Sequence, residues 1–161
     1  MEIEVKIRGL MMDPNSGTPI VILKDVNSET LLPIWVGAYE ANAIALEIEK
    51  IATQRPMTHD LLRNLIVEMG ARVERVVVTE LRDNTFFAVI EMRNSSGDFL
   101  MLDSRPSDAI ALALRADCPI YVNEEVIQAS HSLTGEQVDK SGSGEEDEWP
   151  DVIGEAGDLP M

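Results

Sequence analysis

A chain of 161 residues is long enough for one domain with its own core, and 45% hydrophobic content with only 4% aromatics means that aliphatic side chains must fill it. The formal net charge of −16 excludes a polycation that holds nucleic acid by counterion release, and the single Cys118 excludes an internal disulfide framework or a thiol metal cluster. No apolar run approaches the roughly 18 residues that a membrane span needs, and Met1-Glu2-Ile3-Glu4 does not resemble a signal peptide, so a soluble, cytoplasmic protein away from membranes is expected.

Ile3, Val5 and Ile7 alternate with Glu4, Lys6 and Arg8, the period of a half-buried strand. Pro14-Asn15-Ser16-Gly17 turns the chain into a second strand, Pro19 to Leu23, and Leu31 to Val36 reads as a third. Pro33 cannot donate to a ladder, which assigns that third strand to an edge or a bulge. A helix begins near Tyr39, with Ala41, Ile44, Ala45, Ile48, Ile51 and Ala52 recurring at helical spacing and Glu40 and Glu47 on one border of the stripe. Those carboxylates either face a cleft or solvate the margin of a buried face.

Gln54-Arg55-Pro56 ends that helix, and Thr58 suits the N-cap of the next. Leu61, Leu62, Leu65, Ile66 and Met69 are expected to form its buried face, with Gly70 at its end. His59 and Arg63 share a side next to that face. Arg72 to Leu81, Thr85 to Met92 and Phe99 to Leu102 form a three-strand meander, its first turn being Asp83-Asn84. A helix from Ala109 to Arg115 follows, stopped by Cys118-Pro119. Ile120-Tyr121-Val122 is a short last strand, and Glu124 to Ala129 a last helical turn or two.

Between the meander and its helix stands Asp103-Ser104-Arg105-Pro106-Ser107-Asp108. A helix N-terminus attracts anions, Arg105, Ser104 and Ser107 add donors suited to phosphate or carboxylate, and Asp103 and Asp108 suit a hard cation. The same residues also read as ordinary capping: Ser104 as N-cap, Pro106 in the first turn, Asp108 on the dipole and Arg105 paired with an aspartate. Beyond Ser130 the composition changes to a Gly/Ser linker and the run Glu145-Glu146-Asp147-Glu148, which predicts a disordered acidic tail. The expected organisation is an α+β domain over residues 1–130, with a mixed or antiparallel sheet of about six or seven strands and about three or four helices packed on it, followed by a tail over 131–161.

Three segments resemble the bifunctional nuclease family. They are Leu32-Pro33-Ile34-Trp35-Val36-Gly37 with the helix from Glu40 to Glu47, Arg55-Pro56-Met57-Thr58-His59-Asp60-Leu61-Leu62, and Asp103 through Ala113. The likeness covers about residues 1–130 and implies a single α+β domain that self-associates and hydrolyses DNA and RNA. Some family members carry a further C-terminal module, where this chain has its acidic tail. The positions matching the motifs are Glu40, Glu47, His59, Asp60, Arg63, Asp103, Ser104, Arg105, Ser107 and Asp108.

The mechanistic hypothesis is metal-assisted phosphodiester hydrolysis with no organic cofactor. Asp103 and Asp108, with Glu40 or Glu47, would hold Mg²⁺ or Mn²⁺. His59 would act as general acid or base, and Arg105, Ser104, Ser107 and Arg63 would grip the phosphate of a weakly bound DNA or RNA substrate. Two other readings stand beside it. One is a non-catalytic oligomeric module that binds an anion or a protein. The other is a regulatory factor acting through its acidic tail on an unknown partner.

Overall fold

The computed structural model describes residues 1–135, with side chains to Leu133; the acidic run and the expectation of a disordered tail lie outside the described residues. In chain order the elements are β1 (Glu2–Met12), β2 (Pro19–Asp25), β3 (Leu31–Trp35), α1 (Ala38–Ile48), α2 (Thr58–Glu68), β4 (Ala71–Arg82), β5 (Thr85–Asn94), β6 (Phe99–Ser104), α3 (Pro106–Ala116), β7 (Ile120–Asn123) and α4 (Glu124–Gly135). This is the α+β class, one seven-stranded mixed sheet in the order β3-β2-β1-β7-β4-β5-β6 with four helices. Among the described residues no helix is long and apolar enough to cross a membrane.

Two antiparallel meanders, β1-β2-β3 and β4-β5-β6, are sewn together by β7. It runs antiparallel to β1, where Val5 faces Ile120, and parallel to β4, where Val76 faces Ile120. The β4–β5 turn is local chemistry: Asp83 and Asn84 take φ of 52° and 61°, the left-handed pair that a two-residue hairpin demands. Pro33 lies in β3, an edge strand. Arg75 of β4 locks four neighbouring strands from one side. Its Nη2 donates to Glu91 Oε1 of β5 at 3.0 Å, it also pairs with Glu2 of β1, and it stacks on Tyr121 of β7 with 5.0 Å to the ring centroid.

The core lies between the sheet and the helices. Leu23, Leu32 and Ile34 of the first meander, Val76, Val78 and Ile90 of the second and Ile44 of α1 are all buried. In α3, Ala109, Ala111 and Ala113 are buried together with the larger Ile110 and Leu112, so the helix is covered all round where it packs on β4, β5, α1 and α2. Each of those two larger side chains contributes about 1.5–3 kcal/mol by leaving water.

Four expectations need correction. The face assigned to the second helix is not buried: Leu61, Leu65 and Met69 are 61%, 52% and 76% exposed, and His59 is the one buried residue of the helix. Helical spacing marks which face is apolar, but a partner must exist to cover it, and α2 meets α3 and β4 along a narrow stripe that includes Ile66. The N-cap of α2 is Met57 rather than Thr58, because Asp60 in the first turn accepts the Met57 N–H at 2.8 Å. The first helix stops at Ile48, with Lys50 at φ 56°, so Ile51 and Ala52 continue its spacing without belonging to it. The last helix runs on to Gly135, beyond the one or two turns expected over Glu124 to Ala129. Gly70 closes α2 as expected, at φ 78°.

Candidate active site

β6 passes into α3 through one residue. Arg105 is the N-cap, with extended φ −70° and ψ 146°, and Pro106 opens the helix, where its missing N–H costs nothing. Ser104 is therefore not the cap; its hydroxyl donates to the Arg105 carbonyl at 2.8 Å. Extended backbone at 105 throws the guanidinium sideways toward α1. There Nη2 meets Glu40 Oε1 at 2.6 Å, while Nε donates to Asp108 Oδ2 at 2.9 Å. Glu40 sits in the first turn of α1, folded so closely over Gly37 that a Cβ there would collide with its Oε2.

The other oxygen of Asp108, Oδ1, lies 2.9 Å from His59 Nε2 at the start of α2. An ionised carboxylate only accepts, so this contact places a hydrogen on Nε2 and leaves Nδ1 as the free ring nitrogen. Among the described residues no buried side-chain nitrogen or oxygen lacks a partner, and Nδ1 has none, so Nδ1 keeps access to solvent although the ring is 91% covered. A continuous polar chain results, Glu40–Arg105–Asp108–His59, drawn from the opening turns of three helices. It borders a cavity of about 590 Å³ lined also by Asp103, Ser104, Asn42, Leu62, Leu102 and Leu112. The two flanking carboxylates, Glu40 first and then Asp108, push the Arg105 guanidinium further toward its charged form.

Behind the cavity a second ion pair holds the helices. Arg115, 4% exposed, reaches Asp60 Oδ1 at 2.7 Å and donates to the carbonyls of Ala111 and Ala43, both at 2.9 Å, so one side chain ties α3 to α2 and α1. Burial alone would raise the Asp60 carboxyl, but the Met57 N–H and Arg115 together hold it below the ordinary carboxylate range.

Of the residues proposed from sequence, Glu40, His59, Asp103, Ser104, Arg105 and Asp108 meet at this cavity. Glu47, Arg63 and Ser107 do not line it. Arg63 is exposed and donates to Asn64, and Ser107 is buried in the first turn of α3. Asp103 is exposed, and its carboxylate has no partner among the described residues. The donor set does not fit a divalent ion as arranged. Among the described residues no group of three or more His, Cys, Asp and Glu side chains is placed to hold a metal ion, and the Arg105 guanidinium already pairs with both Glu40 and Asp108. Sequence reasoning missed Arg115, although an arginine seven residues after Asp108, on the side of α3 that carries Ala111 and Leu112, was the available signal.

Fold and cavity together define a single-sheet α+β protein whose three helix openings present a histidine, an arginine and carboxylates to one hollow. Residues 21–134 match the family model described as bifunctional nuclease domain, and the chain belongs to that family. An uncharacterized protein of Mycobacterium tuberculosis is 37% identical over 141 residues, which cover 87% of this chain and 83% of that protein. Bifunctional nuclease 1 of Arabidopsis thaliana and bifunctional nuclease 1 of Oryza sativa subsp. japonica are each 28% identical over 109 residues, 66% of this chain. The chain spans about a third of the length of those two plant proteins, 34% and 33%.

Proposed function

We propose that this chain hydrolyses phosphodiester bonds of DNA and RNA in the cavity at the mouths of α1, α2 and α3. The observation that carries the reading is the convergence of His59, Asp108, Arg105 and Glu40 from three separate helices around one accessible hollow. In this reading Asp108 orients His59 through Nε2, and Nδ1 takes or gives the proton at the scissile phosphate. Arg105 grips the phosphate through Nη1, which makes no hydrogen bond among the described residues, while Glu40 and Asp108 fix its direction. Three carboxylates against one arginine make the hollow a poor host for a polyanion, which accords with weak substrate binding.

The test is purified full-length protein on plasmid and single-stranded RNA, with Mg²⁺, Mn²⁺ or EDTA, beside His59→Ala, Arg105→Ala and Asp103→Asn. Loss of about a hundredfold or more in the His59 and Arg105 variants is expected from removing an acid–base group and a phosphate clamp. Equal residual cleavage in every preparation would mark a contaminant and end the catalytic reading.

A second reading, a non-catalytic oligomeric module for an anion or a protein, is favoured by a different observation. Met57, Leu61, Leu62, Leu65, Val67 and Met69 on or beside α2, with all four apolar side chains of β6, are 40–76% exposed. Leu62 and Leu102 bring the two elements together at the cavity. Self-association over this face fits either reading, and light scattering of Leu65→Glu with Met101→Glu tests it. The pair should shift the mass toward the monomer, and an unchanged mass would place any oligomer contact elsewhere.

A further inference from the structure

Away from the cavity, cationic side chains crowd a stretch of sheet where little answers them. Lys6 of β1 stands directly opposite Lys24 of β2, and Arg8 follows two residues on. Like charges facing each other across a strand pair are destabilising unless an anion is shared between them. The three line a shallow hollow of about 270 Å³ with Ile7, Asp25 and Val26. Asp25 is already engaged, since its carboxylate accepts the Asn27 N–H at 2.8 Å and the Ser28 hydroxyl at 2.9 Å. Lys24 donates to the Ser28 carbonyl at 2.8 Å and has Glu29 at 3.8 Å. Lys6 and Arg8 are exposed, and among the described residues their side chains make no hydrogen bond or ion pair.

The counter-charge is available in the same molecule. His131 Nε2 of α4 lies 3.0 Å from the carbonyl of Leu31, and Leu31 is the partner of Lys24 across β2 and β3. The last described helix therefore passes the start of β3, the strand next to β2, four residues before it ends at Gly135. Residues 136–161 hold nine acidic residues and one lysine, a net −8 that is half of the total −16. Glu145 follows Gly135 by ten residues, which span at most roughly 36 Å when fully extended.

We propose that the segment Glu145-Glu146-Asp147-Glu148 docks on Lys6, Arg8 and Lys24 of its own chain. Tethering raises the local concentration of the segment to about millimolar, which offsets much of the weakness of exposed ion pairs. An incoming nucleic acid has no such advantage, and the hollow lies four strands from β6 in the sheet order, roughly 19 Å at ordinary strand spacing. Docked there, the acidic run takes the cations that a phosphate backbone would otherwise use.

The experiment uses the full chain, the double variant Lys6→Gln with Arg8→Gln, and a variant neutralised at Glu145→Gln, Glu146→Gln, Asp147→Asn and Glu148→Gln. A zero-length carbodiimide should join the Lys6 or Lys24 amine to a carboxylate in 145–148. In an equal mixture of ¹⁴N and ¹⁵N protein the joined peptides should be of one isotope only. The yield should fall about fivefold or more in about 0.5 M NaCl, as an exposed ionic contact requires. Amide resonances of 145–148 should move in the double variant while core resonances stay in place, which separates lost docking from lost folding. Isotope-mixed products, products spread evenly over all lysines, or tail resonances indifferent to the double variant would each overturn the proposal. So would a short oligonucleotide that shifts the Lys6 and Arg8 resonances as strongly in the unmodified chain as in the tail-neutralised one.

Discussion

Replacing Arg115 with methionine removes a cation that three helices share while leaving most of the buried stem volume filled. The bonds at stake are one to Asp60 at 2.7 Å and two to the carbonyls of Ala111 and Ala43 at 2.9 Å. Both carbonyls lie inside helices and keep their ordinary backbone partners four residues on, so their loss is small. The larger part is Asp60, left with the Met57 N–H alone. Breaking a buried pair typically costs about 3–5 kcal/mol, and because the Asp60 side chain is 27% exposed and rehydrates in part, the lower end applies, about 3 kcal/mol. For a domain of this size that corresponds to a fall of roughly 10 °C in Tm. The pH dependence follows from the depressed Asp60 carboxyl. Its contribution is complete above the ordinary aspartate range and is lost as pH falls through the lower folded value. Urea unfolding followed by circular dichroism should therefore show the full gap between the two proteins at neutral pH and a shrinking gap below about pH 4. A gap under about 1 kcal/mol at neutral pH, or one that does not narrow in acid, would refute the reasoning.

Gly37→Ala should leave stability within about 1 kcal/mol, since φ −71° suits alanine, yet displace the Glu40 carboxylate from Arg105; an unchanged Arg105 Nε–H resonance would count against this. Burial pushes the Cys118 thiol up to about 11, so alkylation at pH 8 should run roughly a hundredfold below a free cysteine and climb with pH, and labelling at the free-thiol rate would contradict the burial. Ile110→Ala, at a fully buried point of α3, should cost about 2–5 kcal/mol in urea unfolding, and a cost below about 1 kcal/mol would mean that the core collapses around the gap.

What could be read from the chain was what its own neighbours dictate. Asp83-Asn84 forces a tight hairpin, Pro106 marks the first turn of α3, and alternation in residues 3–8 gives a strand, each within a few residues. Glu40, His59 and Asp108 stood out in their segments for the same local reason. Their meeting was not legible, because it depends on β7 entering between β1 and β4 and so on the placing of α1, α2 and α3 along one sheet. The exposure of α2 was hidden for a related reason: Leu61, Leu65 and Met69 repeat like core residues whether or not anything covers them. Arg105 was visible as a cation, yet that it would span Glu40 and Asp108 required the extended backbone at the cap.

The place of β7 also sets a timetable for folding. The strand that joins the two meanders begins only at Ile120, so during synthesis β1 and β4 each wait with a bare side until nearly all of the described chain has emerged. Until then the nascent protein consists of two hairpin-built halves with no shared ladder, and cooperative closure waits until β7 has left the ribosome. A ribosome stalled before that point would hold two sticky, unjoined sheets, which makes early termination in this chain a route to clumping rather than to a smaller working domain.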